Sequence, residues 1–273
     1  MNTKDILNKN NFTFKKKFGQ NFLLDQNVLN NIVDLAEITK DTLVIEIGVG
    51  AAALTKKLSL KAKNVLGYEI DKTLKDPLKI ILDEYKNVDV VFDDFLNRNI
   101  KQDLQKYKYD NLMVVANLPY YITTPIISKF INEKIDVSKI IVMVQNEVAD
   151  RFSAVIGSKN YNSLTIFLNY YFDIKKAFMV SRKVFYPKPN VDSAVVLFNK
   201  KKNKLKAIDE NMFFLIVRKA FKQKRKTLKN NLKDFDIDKI NCTLNKFGKD
   251  INYRAENITI EEFIEISNEL IKQ

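Results

Sequence analysis

Short apolar runs alternate with helical patterns through the first 200 residues of this 273-residue chain. Runs rich in Val, Ile and Leu without a polar face are typical of strands that are buried on both sides, as in parallel sheets. Strands that alternate with helices predict parallel pairing, with helices covering both faces. The predicted strands are 42–50, 64–71, 88–95, 111–120, the run that begins at 139, 173–181 and 193–200. We therefore predict an α/β fold with a mostly parallel seven-stranded sheet.

The pattern changes after a polar, charged break at residues 200–210. Only helical patterns follow this break, at 211–232, 237–248 and 259–273. The last of them starts with Thr259 and Glu262 at the spacing of a capping box. The sequence therefore predicts two domains, an α/β domain over residues 1–200 and a small all-helical domain over residues 201–273.

The chain has one cysteine, Cys242, and no histidine. This composition excludes a disulfide framework, the usual zinc sites and any Ser-His or Cys-His catalysis, and we expect no metal. The N-terminus lacks a signal-peptide pattern, and no apolar run reaches the roughly 20 residues of a spanning helix. We expect a monomeric cytoplasmic protein without membrane contact.

The net charge is +13, and more than half of this excess lies in residues 200–273. A concentrated positive field is typical of proteins that bind a polyanion such as nucleic acid. A lysine-rich composition that only aids solubility gives the same totals, so composition alone leaves both interpretations open.

Acidic residues end the first three predicted strands beside a glycine turn. Glu46 precedes Gly48 and Gly50, Glu69 ends the second strand, and Asp93 and Asp94 end the third. The carboxyl edge of an open α/β sheet binds ligands, and an acid at the second strand is placed to hold ribose hydroxyls. A ring of acids suits a cofactor that carries both a ribose and positive charge, as S-adenosylmethionine does. Any one acid could stand there by chance, but all three together favour a site.

The fourth predicted strand ends in Asn117, Leu118, Pro119 and Tyr120. An exocyclic adenine amine is a weak nucleophile, because its lone pair is delocalised into the ring. The Asn117 side-chain oxygen and a nearby backbone carbonyl, stiffened by Pro119, could accept its two N–H groups and favour a tetrahedral nitrogen. Tyr120 offers a ring on which the base could stack. The alternative is an ordinary Asn turn with core tyrosines, which the upstream cofactor pattern makes less favoured.

Together these motifs resemble those of the small-subunit rRNA adenine-N6,N6-dimethyltransferases of the kasugamycin-resistance type, over nearly the whole chain. The matching segments are KKFGQNFLLD (16–25), EIGVGAAALT (46–55), EID (69–71), DDFL (93–96), NLPYYITTPII (117–127), FYPKPNVDSAVV (185–196), FKQKRKTLKNNL (221–232) and RAENITIEEF (254–263). The resemblance implies a Rossmann-like class I S-adenosylmethionine-dependent methyltransferase fold. It also implies a C-terminal domain that binds rRNA.

The resemblance assigns roles position by position. The predicted cofactor site comprises Gln20, Asn21, Leu23, Glu46, Gly48, Gly50, Glu69, Ile70, Asp93, Asp94 and Asn117. Within it, Glu69 is expected to hold the ribose and Asp94 to accept from the cofactor's adenine amine. The predicted catalytic residues around the target amine are Asn117, Leu118, Pro119 and Tyr120, with Phe185 covering the other face of the base.

The cofactor loop departs from the usual family pattern, in which a proline stands between the glycines and a glycine or small residue follows. Here Val49 replaces the proline, and Ala51 and Ala52 follow. Because alanine is the mildest loss of space, we expect cofactor binding to be retained.

The segment 221–232 places four cations, Lys222, Arg225, Lys226 and Lys229, at three- and four-residue spacings. In a helix such residues share one face. A solvated surface face is the usual explanation of a charge run, but the resemblance favours contact with RNA phosphates.

The predicted activity is methyl transfer from S-adenosylmethionine to adenine amines. The resemblance implies two adjacent adenosines near the 3′ end of 16S rRNA, in the 30S subunit or its precursor, each methylated twice, with a role in subunit maturation. Three alternatives stay open at this stage. They are the antibiotic-resistance relatives that methylate a large-subunit rRNA adenine, an assembly factor without essential catalysis, and a DNA adenine methylase.

Overall fold

The computed structural model describes residues 21–23, 25–117, 122–202 and 206–272. Contacts divide the chain into two compact units, the first comprising residues up to Ala149 together with Lys175–Asn199, and the second Asp150–Ile174 and Lys200 onward. The sequence boundary at residue 200 therefore differs from the structure in one segment. Residues 150–174, which the sequence analysis assigned to the α/β domain, pack with the C-terminal helices.

The described part of the first unit is built on a seven-stranded sheet. Its strands are β2 (Thr42–Ile47), β3 (Asn64–Tyr68), β4 (Val88–Val91), β5 (Asn111–Asn117), β6 (Lys139–Gln145), β7 (Phe172–Val180) and β9 (Ser193–Lys200). They lie in the order β4-β3-β2-β5-β6-β9-β7. The pairs β2–β3, β2–β5, β3–β4 and β5–β6 are parallel, and β9 is antiparallel to β6. This confirms the predicted sheet.

Strand β2 explains why this region forms a parallel sheet. Every residue of its sequence TLVIEI is buried. A strand that is covered on both faces needs helices on both sides, which the crossover connections supply. The crossover helices are α2 (Ala53–Lys61), α3 (Lys75–Ile81), α4 (Ile100–Leu104) and α5 (Thr123–Asn132), and a further helix, α1 (Gln26–Ala36), precedes β2.

A separate two-stranded antiparallel sheet joins β1 (Phe22–Leu23) to β8 (Phe185–Tyr186). In its register Phe22 lies opposite Tyr186, and Leu23 lies opposite Phe185. This pairing brings the N-terminal part of the described chain to the late aromatic motif.

The second unit is mainly helical. Its helices are α7 (Ser163–Tyr171), α8 (Glu210–Ala220), α9 (Leu228–Asn231), α10 (Ile237–Asn245) and α11 (Ile260–Ile271), while α6 (Asn146–Phe152) runs between the two units in sequence. Thr259 and Glu262 form the predicted capping box at the start of α11. The core of this unit includes Tyr170, Phe213 and Phe263.

The prediction of one helix over residues 211–232 was wrong, because α8 ends at Ala220 and residues 221–227 form turns. The Asn231 side chain explains this ending. Its amide Nδ2 donates to the backbone oxygen of Ala220 at 2.6 Å and to that of Gln223 at 3.1 Å. Carbonyl groups at a helix end need partners, and here a partly buried amide from α9 supplies them. The four predicted RNA-binding cations therefore do not share a helical face.

No helix in the described ranges is both long and apolar enough to cross a membrane.

Candidate active site

The predicted cofactor residues meet at one edge of the sheet in the first unit. Glu46 lies in β2, Glu69 directly follows β3, Asp93 and Asp94 follow β4, and Asn117 ends β5. Because these strands are parallel neighbours, their carboxyl ends face the same side. This edge is where an open α/β sheet binds its ligand.

A pocket opens at this edge. Its walls are Phe22, Leu23, Leu29, Glu46, Gly48, Val49, Gly50, Ala51, Ala53, Leu54 and Asn117. The pocket thus unites five of the predicted cofactor residues. Glu69, Ile70, Asp93 and Asp94 lie at the same edge outside these walls, and the Ile70 side chain is exposed.

The glycine turn shapes the pocket because both of its glycines have positive φ, +83° at Gly48 and +54° at Gly50. A Cβ atom on Gly50 would lie 3.1 Å from Phe22 Cε1, and one on Gly48 would lie 3.4 Å from the Asn117 backbone oxygen. Both positions therefore favour glycine through conformation, and Gly50 also through space. Ala52 has φ +59° as well, a left-handed conformation that costs an alanine roughly 1 kcal/mol.

Val49, which replaces the family's usual proline, is buried against the neighbouring strand. A Cβ atom placed on Gly67 of β3 would lie 2.5 Å from Val49 Cγ2. Gly67 therefore provides the space that the valine side chain occupies. Sequence reasoning missed this compensation because the two residues are far apart along the chain.

Glu69 holds the turn to β3. Its Oε2 accepts from the Gly50 N–H and its Oε1 from the Asp71 N–H, both at 2.8 Å. Burial raises the pKa of Glu69, and these backbone N–H groups oppose the rise. Each carboxylate oxygen has a second lone pair, so the side chain can still accept a ribose hydroxyl. Its structural role was not apparent from the sequence.

Glu46 is the most buried acid of the pocket, with 1% of its surface exposed. Its Oε2 has no hydrogen-bond partner among the described residues. Burial raises the pKa of Glu46 to about 8; the Thr55 hydroxyl opposes this rise and the charge of Glu69 adds to it. At neutral pH the carboxyl is therefore mainly protonated, and a cation entering the pocket would favour its ionised form.

The two aspartates after β4 differ in their partners. Asp93 Oδ2 lies 3.4 Å from Arg98 Nη1, and Asp93 Oδ1 accepts from the Asp94 N–H at 2.9 Å. Asp94 Oδ1 accepts from the Leu96 N–H, and its Oδ2 makes no hydrogen bond to a described residue. Arg98 in turn forms a two-point ion pair with Asp103. Asp93 is thus engaged by a cation, while Asp94 retains an oxygen for a ligand.

The Asn117 carboxamide is oriented by the N-terminal chain. Its Nδ2 donates to the Asn21 backbone oxygen at 3.4 Å, and its Oδ1 makes no hydrogen bond to a described residue. This leaves an acceptor oxygen at the pocket wall, where the proposed chemistry needs one. Leu118, Pro119 and Tyr120, together with the predicted cofactor residue Gln20, lie outside the described residues.

Phe185 is 5% exposed, pairs with Leu23 and packs in the core of the first unit. Its predicted contact with the target base remains a prediction, and it would require the covered ring to become accessible. Phe22, which sequence reasoning did not select, lines the pocket against Gly50. Its position inside the FGQNFLLD motif was the available signal.

The predicted RNA-binding residues Lys222, Arg225, Lys226 and Lys229 are all exposed in the second unit. The first three stand in the turns after α8, and Lys229 is in the short helix α9. None of the four forms an ion pair with a described residue.

The sequence matches the family model for ribosomal RNA adenine dimethylase over residues 11–272. Ribosomal RNA small subunit methyltransferase A of Bacillus cytotoxicus is 46% identical, over 98% of this chain and 95% of the relative. The protein of the same name from Oceanobacillus iheyensis is 45% identical, over 97% and 93% of the two chains.

Two solved structures share the fold over nearly the whole chain. A dimethyladenosine transferase from Plasmodium falciparum is 28% identical with a TM-score of 0.75, covering 90% of this chain and 95% of its own. The 23S rRNA methyltransferase ErmE is 24% identical with a TM-score of 0.76, covering 92% and 100%. The second likeness is one of fold alone.

Proposed function

Because this chain belongs to the ribosomal RNA adenine dimethylase family, we propose that it methylates two adjacent adenosines near the 3′ end of small-subunit rRNA. Each N6 amine receives two methyl groups from S-adenosylmethionine. The substrate is the 30S subunit or its precursor, and the enzyme acts as a cytoplasmic monomer that contributes to subunit maturation. The observation that carries the proposal is the Asn117 carboxamide, whose nitrogen is engaged and whose oxygen is available at the pocket.

The pocket residues fit this cofactor. Gly48 and Gly50 leave space that a Cβ would fill, and the partnerless Glu46 oxygen suits a positively charged ligand. We assign Glu69 to the ribose hydroxyls and Asp94 to the adenine amine, since both carboxylates retain acceptor capacity. When bound, S-adenosylmethionine supplies an electrophilic methyl group on a sulfonium sulfur.

Asn117 activates the acceptor nitrogen. Its Oδ1 accepts one N–H of the target amine, which draws electron density toward nitrogen and favours the tetrahedral geometry required for attack. A backbone carbonyl of the NLPY motif accepts the second N–H. Attack would form the N–C bond as the bond between the methyl carbon and sulfur breaks. No histidine exists in the chain to take the proton beforehand, so the proton would pass from the methylated nitrogen to water after attack.

The same geometry serves the second transfer. A monomethylated amine still has one N–H, which the Asn117 oxygen can accept. The first methyl group then lies where the second N–H of the unmethylated amine was. One positioned acceptor is therefore sufficient for both rounds.

The RNA contact is assigned to the exposed cations of the second unit, Lys222, Arg225, Lys226 and Lys229. Phosphate contacts give affinity that falls as salt rises. Selection of the target comes from RNA shape and from unpaired bases that can be splayed out.

The test incubates the full-length enzyme with isotopically labelled S-adenosylmethionine and small subunits from cells that lack this modification, followed by mapping of modified bases. We expect label on two adjacent adenosines near the 3′ end. Asn117→Ala should abolish transfer and preserve cofactor affinity measured by calorimetry. Asn111→Ala, at the exposed opposite end of β5, is the matched control and should retain activity.

Each other outcome separates the alternatives. Label on a large-subunit adenine instead would identify the antibiotic-resistance activity. No label on any RNA, with normal subunit binding, would identify an assembly factor. Normal turnover by Asn117→Ala would remove that residue from the mechanism.

A further inference from the structure

The basic segment, defined as residues 222–229, is held beside a second stretch of chain in the same unit. The Leu228 N–H donates to the Tyr253 backbone oxygen and the Lys229 N–H to the Ile251 backbone oxygen, both at 2.9 Å. Tyr253 is therefore an immediate neighbour of the basic segment, although it lies 24 positions beyond Lys229 in sequence.

The cations of this surface have no acidic partner within ion-pair distance among the described residues, although the charge of Lys222 helps to lower the pKa of Asp234. These exposed cations are Lys222, Lys224, Arg225, Lys226, Lys229 and Arg254. None of them forms an ion pair or a side-chain hydrogen bond with a residue in the described ranges. By contrast, Lys219 at the end of α8 pairs with Asp234 at 2.9 Å. The surface around Tyr253 thus keeps its positive charge for a ligand.

Tyr253 combines a fixed backbone with an accessible ring. Its N–H donates to the Asp250 backbone oxygen at 3.2 Å and its carbonyl accepts from Leu228. The side chain is 38% exposed, and its hydroxyl has no hydrogen-bond partner among the residues described. Other tyrosines of this unit are anchored: Tyr161 donates to the Ile258 backbone oxygen and Tyr170 to Glu210.

We propose that Tyr253 is a stacking platform for an unpaired RNA base, and that Arg225, Lys226 and Arg254 contact the phosphates on either side. Aromatic rings among unpaired cations are the recurring solution for binding single-stranded nucleic acid, because every base presents a π face. A protein partner is less favoured, since a surface with six exposed cations would need an equally acidic counterpart. This inference rests on the proposed rRNA substrate and adds an unpaired nucleotide as the feature recognised.

The test measures the affinity of the full chain for a single-stranded RNA oligonucleotide and for an abasic oligomer of equal length, across a salt series. Tyr253→Ala should weaken binding of the RNA by roughly 5- to 150-fold and leave binding of the abasic oligomer unchanged. The salt dependence of RNA binding should have the same slope for Tyr253→Ala as for the wild type, because stacking releases no counterions. Tyr253→Phe should keep the affinity, which shows that the variant surface is folded and that the ring is responsible.

Leu215→Ala is the matched control, since Leu215 in α8 has the same 38% exposure in the same unit. It should change the affinity for neither oligomer.

The double variant Arg225→Ala with Lys226→Ala should weaken the binding of both oligomers and flatten the salt slope. If this double variant has no effect, the proposed RNA surface itself is wrong. If it acts while Tyr253→Ala weakens neither oligomer, or both equally, the stacking inference alone is overturned. Weaker binding to small subunits without weaker binding to the oligonucleotide would also overturn it, in favour of a protein contact.

Discussion

Replacing Glu46 with glutamine should change how the stability of the protein depends on pH. The raised pKa, about 8 against an ordinary value of 4.5, means that the folded state binds this proton more tightly than the unfolded chain does. The stabilisation by the proton is complete below pH 4.5, decreases by about 1.4 kcal/mol per pH unit above it, and is lost once the pH passes 8. Between pH 6 and pH 8 the wild type should lose about 2 kcal/mol from this group alone.

Glu46→Gln keeps the shape of the protonated side chain and cannot ionise. The free energy of unfolding of the variant should therefore exceed that of the wild type, by a margin that widens by about 2 kcal/mol from pH 6 to pH 8. Denaturant unfolding of both proteins without cofactor, at pH 6, 7 and 8, gives this margin directly. Other groups titrate in both proteins and largely cancel. Glu84→Gln, at an exposed glutamate, should show no widening.

The cofactor should reverse the effect. A bound cation favours ionised Glu46, so cofactor binding at pH 7 should release about one proton from the wild type and none from Glu46→Gln. Calorimetry in buffers of different ionisation enthalpy measures this number. Equal margins at pH 6 and pH 8, or equal proton release by the two proteins, would refute the reasoning, because either result means that Glu46 does not titrate in this range.

Three further substitutions test separate parts of the structure. Gly50→Ala should lower cofactor affinity about tenfold and stability by about 1–2 kcal/mol, because the residue has a positive φ and the new methyl group would contact Phe22. Calorimetry measures the affinity and denaturant unfolding the stability. An unchanged affinity would contradict the role of the turn in cofactor binding. Asn231→Ala should lower stability by about 2–3 kcal/mol, since the Ala220 and Gln223 backbone carbonyls lose their donor. A loss under about 0.5 kcal/mol in denaturant unfolding would contradict the role of Asn231 at the end of α8. Reversing Arg225 and Lys226 to glutamate should weaken rRNA binding and lower its salt slope by about 2; an unchanged slope in filter binding would show that neither residue contacts a phosphate.

Local patterns predicted the sheet and its functional edge. Continuous apolar strands and alternating helices depend on sequence that is close together, and Glu46, Gly48, Glu69 and Asn117 mark strand ends by position alone. The parallel order then brings them together without further information. This is why the sheet followed from the residues, and why these four residues lie at one of its edges.

The incorrect helix over 211–232 has the opposite origin. Lys, Gln and Arg are good helix formers, so propensity favours continuing α8 through residues 221–227. The Asn231 amide and the hydrogen bonds from Leu228 and Lys229 end the helix instead. These are tertiary interactions, whose partners become known only once the chain is folded.

The placement of residues 150–174 follows the same logic. Helix α7 has an apolar sequence that suits either unit. Tyr170 places it in the second unit, because its ring packs against Phe213 and its hydroxyl donates to Glu210. The chain enters the second unit at residue 150 and returns to the first unit at residue 175. A single boundary at residue 200, drawn from composition, cannot describe this exchange.

The acids at the strand ends differ in chemical state, and this difference matters more than their number. Glu69 is held by two backbone N–H groups and Asp93 by Arg98, whereas Glu46 Oε2 has no hydrogen-bond partner among the described residues. An uncharged Glu46 avoids repulsion with the Glu69 carboxylate, and a cation in the pocket would restore the charge of Glu46. After methyl transfer the sulfur would carry no charge, so we expect Glu46 to regain its proton and the spent cofactor to bind less tightly than a fresh one. Because each adenosine requires two transfers, a pocket that responds to the charge of its ligand favours the exchange between rounds.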